Sequence, residues 1–228
     1  MGFAVNQATL SSLAGVSNAG KLSADGGQVV MTADVANQLK ATVVNNTGLV
    51  EAHSITSHNG TVVLSAAGGN IENSGTLDAS ATQSGVSGGQ VVIRGNEQTA
   101  LSDTSKVLAS GDGAKGGLVE VSGHSLKLRG EVQVGSRGTV IIDPSKLSIT
   151  TGSTVPSSTG ATTYQVGLGY IENQLNANNN VVLVASNSIG HSAGVTSLTA
   201  GTGTGNLTLK TGKLSATTPS TPTPVPGS

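Results

Sequence analysis

The side chains able to do chemistry are few and poorly spaced for it. The chain carries four His, 11 Lys plus Arg, 12 Asp plus Glu and no Cys, which excludes thiolate metal sites, disulfides and thiol catalysis. Gly15-Val-Ser-Asn-Ala-Gly20-Lys21 approaches a phosphate-binding loop, but Leu22 stands where a hydroxyl must meet Mg²⁺. A turn is the better reading. Gly190-His191-Ser192-Ala193-Gly194 and Gly85-Val86-Ser87-Gly88-Gly89 match the pattern of a nucleophilic serine on a strand-to-helix turn. No Asp, Glu or His follows His191, however, and no helical periodicity follows Ser87. With 33 Gly and 29 Ser in the chain, such matches arise by chance. His53 and His58, five apart in a corner loop, suit solvent better than a metal. Gly111-Asp-Gly-Ala-Lys-Gly-Gly lacks the repeated Asp spacing of a calcium-binding repeat. Asn45, Asn59 and Asn206 each open an Asn-x-Ser/Thr acceptor, no more than the Asn, Ser and Thr content produces by chance. No cofactor is implied by any of these residues.

The elements that would position such residues come from an unusual composition. Of 228 residues, 10% are charged, 36% are hydrophobic and three are aromatic, against about 25% charged in an ordinary globular domain. The interior must therefore be built from Val, Leu, Ile and Ala, in thin regular layers. A net charge of -1 provides no field to gather nucleic acid. Aliphatic runs such as Val181 to Ala185 are far short of the roughly 20 residues of a membrane span. Met1 to Leu13 shows neither the basic nor the apolar segment of a signal peptide.

Internal repetition organises the chain. One family of segments reads Gly20-Lys-Leu-Ser-Ala, Gly48-Leu-Val-Glu-Ala, Gly75-Thr-Leu-Asp-Ala, Ser105-Lys-Val-Leu-Ala and Gly130-Glu-Val-Gln-Val, at separations of 28, 27, 30 and 25 residues. A second alternates with it: Gly27-Gln-Val-Val-Met, Gly60-Thr-Val-Val-Leu, Gly89-Gln-Val-Val-Ile, Gly117-Leu-Val-Glu-Val and Gly138-Thr-Val-Ile-Ile. In both, the second and fourth positions are aliphatic, which is one face of a strand. A weaker third segment is marked by Leu39, Ile71, Leu101 and Leu126.

Three short strands per repeat, with the same residue class at the same position each time, predict an all-β, three-sided parallel β-solenoid. A β-sandwich also has many short strands, but it does not require that recurrence. Residues 1–150 read as β-helix coils, 151–169 as a loop or insertion, 170–215 as further coils with a short helix at Tyr170-Ile-Glu-Asn-Gln-Leu-Asn, and 216–228 as a Pro/Thr-rich linker or tail. In the second part, strands are expected at 181–185, 195–200 and 206–210. The third position of the second family points outward, yet it holds Val30, Val63, Val92 and Ile141, with Glu120 between. Either the 153–169 segment folds over this stripe, or it is a docking surface, or the residues reflect strand propensity alone.

The order of Ala24-Asp-Gly-Gly-Gln-Val-Val-Met-Thr-Ala, Val43-Val-Asn-Asn-Thr-Gly-Leu-Val-Glu-Ala, Gly75-Thr-Leu-Asp-Ala-Ser, Gly116-Gly-Leu-Val-Glu-Val-Ser-Gly and Thr139-Val-Ile-Ile-Asp-Pro-Ser-Lys-Leu-Ser-Ile resembles the large exoproteins of the filamentous haemagglutinin type. The resemblance runs from about residue 4 to residue 212. It implies a right-handed parallel β-helix in a secreted or outer-membrane surface adhesin of a Gram-negative bacterium. It also implies export through an outer-membrane two-partner secretion transporter and a host-cell or bacterial surface receptor, protein or glycan. The Asn-Pro-Asn-containing secretion motifs of that family are missing, so the resemblance is to a segment downstream of the secretion domain. Two alternatives are a repetitive surface-matrix protein and a β-helix polysaccharide lyase or hydrolase. The enzyme would need outward carboxylates on neighbouring coils, and Glu51 and Asp78 occupy such positions, expected roughly 5 Å apart.

Overall fold

A computed structural model describes residues 3–5, 15–33, 42–56, 58–152, 163–198 and 201–212. The strands fall in repeating triplets. After β1 (Phe3–Val5), the first coil has β2 (Val16–Asn18), β3 (Lys21–Ser23) and β4 (Gln28–Ala33); the second has β5 (Thr42–Asn46), β6 (Leu49–Glu51) and β7 (Thr61–Ala66). The third has β8 (Asn70–Asn73), β9 (Thr76–Asp78) and β10 (Gln90–Gly95), and the fourth β11 (Gln98–Leu101), β12 (Lys106–Leu108) and β13 (Leu118–Gly123). The fifth has β14 (Ser125–Leu128), β15 (Glu131–Gln133) and β16 (Thr139–Pro144). There follow β17 (Lys146–Thr150), β18 (Thr163–Gly167), α1 (Leu168–Asn176), β19 (Asn180–Ala185), β20 (Ser188–His191) and β21 (Leu207–Thr211).

Among the described residues every pair of these strands is parallel. One face is the eight-stranded sheet β1-β4-β7-β10-β13-β16-β19-β21, the second is β2-β5-β8-β11-β14, and the third is β3-β6-β9-β12-β15. The chain is a three-sided parallel β-helix, the fold class expected. Inward positions stack in register: Val29, Val62, Val91, Val119, Val140 and Val181 form one column, and Met31, Leu64, Ile93, Val121, Ile142 and Leu183 the next. All twelve are buried. Each is worth roughly 1.5–3 kcal/mol when fully removed from water, so this core supplies the packing that the missing aromatics do not.

The second face differs from the expectation in register. Its inward columns are Val16-Val44-Ile71-Thr99-Leu126 and Asn18-Asn46-Asn73-Leu101-Leu128; Leu39 lies outside the described residues. Asn and Thr at core positions hid the pattern. Asn18 Nδ2 donates to Asn46 Oδ1 (2.9 Å), and Asn46 Nδ2 donates to Asn73 Oδ1 (2.7 Å). Each amide also donates to the carbonyl two residues on, at Gly20, Gly48 and Gly75. Stacked this way, buried amides cost little, since every rung satisfies the next. The coils approach so closely at this corner that a Cβ on Gly75 would lie 2.0 Å from the Gly48 carbonyl oxygen.

Beyond β16 the repeat is modified. The segment read as a loop from 151 to 169 contains a strand: β18 pairs with β17 and packs beside β14, and β20 flanks β17 on the other side. Tyr164 and Val166 point inward, an alternation too short to stand out beside the Ser/Thr-rich residues before it. Helix α1 contains the segment expected to be helical and buries Ile171 and Leu175. It occupies the turn of chain where a strand of the third face would come, so that face stops at β15. The helix ends at Asn176 with Ala177 as its cap, and Asn178, with a φ of 63°, is the left-handed residue that closes it. Residues 195–198 are not a strand; the rung expected there forms earlier, at β20. Residues 153–160 and 216–228 lie outside the described residues.

Two substitutions test this core by urea unfolding. Ile93→Ala removes one member of an aliphatic column and should cost about 2–5 kcal/mol. Asn46→Ala strands the amides of Asn18 and Asn73, at about 1–3 kcal/mol for each unpaired group; an Asn46→Ala cost no greater than that of an exposed Asn would contradict the amide ladder.

Candidate functional site

The outward side of the eight-stranded sheet carries the expected stripe. Val30, Val63, Val92, Glu120, Ile141 and Val182 follow one another in register, all half-buried against their neighbours. Thr163–Gly167, part of the segment expected to cover it, instead pairs with β17. The stripe is interrupted by charge. Arg94 donates from Nε to Glu120 Oε1 at 2.7 Å and from Nη2 to Oε2 at 2.8 Å. In the adjoining column Asp143 follows Ser122. Burial holds the Asp143 carboxyl above the usual carboxylate range, and the nearby Glu120 pushes the same way while Arg94 opposes both.

Glu51 and Asp78 are register partners on the third face, but each is already engaged. Glu51 receives Lys21 Nζ at 2.7 Å. Asp78 accepts the Ser80 N–H at 2.8 Å and lies 3.6 Å from His53 Nε2, while His53 Nδ1 is 2.8 Å from Asp25. Three successive coils are thereby tied at one corner. His58 takes part in a tight turn with Ile55. Among the described residues no group of three or more His, Asp or Glu is placed to hold a metal. Ser192 donates its N–H to the Ile149 carbonyl, and its own carbonyl lies 3.2 Å from His191 Nδ1. Sequence reasoning missed one serine–histidine contact, Ser145 Oγ to His124 Nδ1 at 2.8 Å; the two residues sit at successive turns of the same corner, 21 apart, and line a shallow cleft of about 310 Å³ with Asp143.

A larger depression, about 670 Å³, runs along the helix axis on the second face. Its floor is the outward column Asn45, Glu72, Ala100 and Lys127, in register across four coils. Its wall comes from the corner into the third face, where Ser102 and Arg129 stand. Other corners on this edge have two residues, such as Ser74-Gly75, but β11 and β12 are joined by four, Ser102 to Ser105. The extra residues project: Thr104 Oγ1 donates to the Ser74 carbonyl at 2.9 Å, and Asp103 lies 3.9 Å from Arg129. The sequence held a sign of this wall in the 30-residue separation between Gly75 and Ser105. It showed no sign that Glu72 and Lys127 share a column, because that depends on the register of a face whose pattern was masked.

Comparison with protein-family models, with curated proteins and with solved structures finds no match. The geometry alone therefore bears on function. None of the described helices is long and apolar enough to cross a membrane.

The raised Asp143 carboxyl has a signed consequence. The folded chain holds this proton more tightly than the unfolded one, so the contribution of Asp143 to stability is present below the ordinary carboxyl range and is lost as pH rises through the raised value. Asp143→Asn should increase the urea midpoint at neutral pH and leave it unchanged below about pH 3.5. Equal midpoints at both pH values would show that the carboxyl is not disfavoured in the fold.

Proposed function

We propose that this chain is a non-enzymatic structural and adhesive segment of a bacterial secreted or surface-exposed protein similar to filamentous haemagglutinin, carried out of the cell by a two-partner secretion transporter. The observation that supports the reading best is the parallel stacking of all three faces through five successive coils, with the first face continuing to eight strands. Eight strands at about 4.8 Å spacing make a shaft roughly 35 Å long, and bending it would break parallel hydrogen bonds on every side at once. Such a shaft adds coils one at a time, each templated by the last, which suits a chain that folds as it emerges from an export pore. Its task would be to hold a binding surface away from the cell, against a host-cell or bacterial surface receptor. The stripe of Val30, Val63, Val92 and Ile141 would serve as a docking face for another part of the parent protein or for a partner.

Beads coated with the purified chain should be retained on epithelial or bacterial cells and be displaced by the soluble chain. Retention no greater than that of uncoated beads would remove the adhesive reading. Val63→Thr with Val92→Thr keeps the β-branched shape and removes apolar contact. The double variant should lower self-association in sedimentation or retention on cells, and a change in neither would remove the docking role.

A further inference from the structure

We infer that the groove on the second face binds a carboxylated oligosaccharide. Three features carry the inference. The first is extent: Asn45 to Lys127 covers three inter-coil steps, about 14 Å at 4.8 Å per step, open along the axis and about 670 Å³ in volume, within the range of small-ligand sites. The second is unused capacity. Two charged pairs elsewhere on this shaft join across one rung, Lys21 with Glu51 and Arg94 with Glu120. In the groove Ala100 separates Glu72 from Lys127, so the two stand two rungs apart. Among the described residues the side chains of Asn45, Glu72 and Lys127 form no hydrogen bond or ion pair with one another or with any neighbour. The small Ala100 methyl leaves the floor low between them.

The third feature is the order of the groups. Lys127 lies at one end, where it can receive a carboxylate by a charge-assisted hydrogen bond, with Arg129 beside it, 3.9 Å from the exposed Asp103. Glu72 and Asn45 lie toward the other, where an acceptor and an amide suit hydroxyl groups, and Ser102 supplies a hydroxyl from the wall. A ligand with hydroxyls along its length and a carboxylate toward one end matches this order. A polyphosphate chain does not, because Glu72 would face it and the chain has no basic excess. An extended peptide is also a poor match, because the backbone of β5, β8 and β11 is used by the strands on either side and offers no free edge for an added strand.

This inference rests on the adhesive reading and names the class of receptor for it. The test uses the whole 228-residue chain and saturation-transfer NMR with three probes: a trigalacturonate, its carboxyl-reduced neutral counterpart and a glutamate tripeptide. The chain should bind the trigalacturonate about tenfold or more tightly than the neutral trimer, the scale of one charge-assisted hydrogen bond. Lys127→Gln should erase that preference, and Ala100→Leu, which fills the floor, should abolish binding. Both positions face outward, and circular dichroism matching the parent verifies the fold of each variant. Should Lys127→Gln fail to fold, loss of the preference at high salt in the parent chain gives the same reading.

No binding of any probe, equal binding of the acidic and neutral trimers, undiminished binding by folded Ala100→Leu, or equal binding of the tripeptide would each overturn the inference. Retention on cells without trigalacturonate binding would overturn it and leave the adhesive reading standing. Trigalacturonate binding without retention on cells would do the reverse.

Discussion

Each coil of this molecule satisfies its backbone through the coil before it and the coil after it. A parallel strand of three to six residues has no hairpin partner in its own neighbourhood, so its amides and carbonyls must meet those of a strand some 28 residues away, and on all three faces together. That requirement sets the repeat length and keeps the corners short on two of the three edges. It also makes an interior residue the neighbour of its own counterparts. A position that suits Val in one coil suits it in the next, because what surrounds it has been copied with it.

The same copying makes polar interiors affordable. An isolated buried Asn would leave donors and acceptors unpaired. Three stacked ones pass the bond along from Asn18 to Asn46 to Asn73 and use the spare N–H of each amide on the adjacent Gly carbonyl. The column then changes to Leu101 and Leu128, where packing replaces hydrogen bonding without any change in register. Tight corners follow from this closeness. At Gly75 there is no room for a Cβ beneath the preceding coil, so the constraint at that glycine comes from the neighbouring rung and not from its own dihedral angles.

Outside, the constraint relaxes and chemistry gathers where the repeat is altered. Charged side chains reach one rung up or down, giving the Lys21–Glu51 and Arg94–Glu120 pairs and the bridging of His53 between Asp25 and Asp78. Where a corner lengthens by two residues, between β11 and β12, a wall rises and the flat face becomes a groove. Where the third strand is replaced by α1, the third face ends, the first continues to β21, and a separate sheet β18-β17-β20 follows the second. These departures from regularity hold the features most able to recognise something.

Read alone, the sequence determined the period, the aliphatic columns of the first and third faces and the helix near Tyr170, since those rest on residue classes repeated at strand or helix spacing. It also held the low charge and the lack of thiols, which limit the chemistry of the chain wherever it folds. Only the tertiary structure decided the register of the second face, because Asn46, Asn73 and Thr99 are core residues there through hydrogen bonds that a hydrophobic pattern does not display. It likewise decided that Thr163–Gly167 returns as a strand beside β17, that Glu51 and Asp78 are bound to Lys21 and His53, and that Glu72 and Lys127 face one groove. Each of these depends on which residues stacking brings together from about 20 to 60 positions apart, and local periodicity carries no record of that.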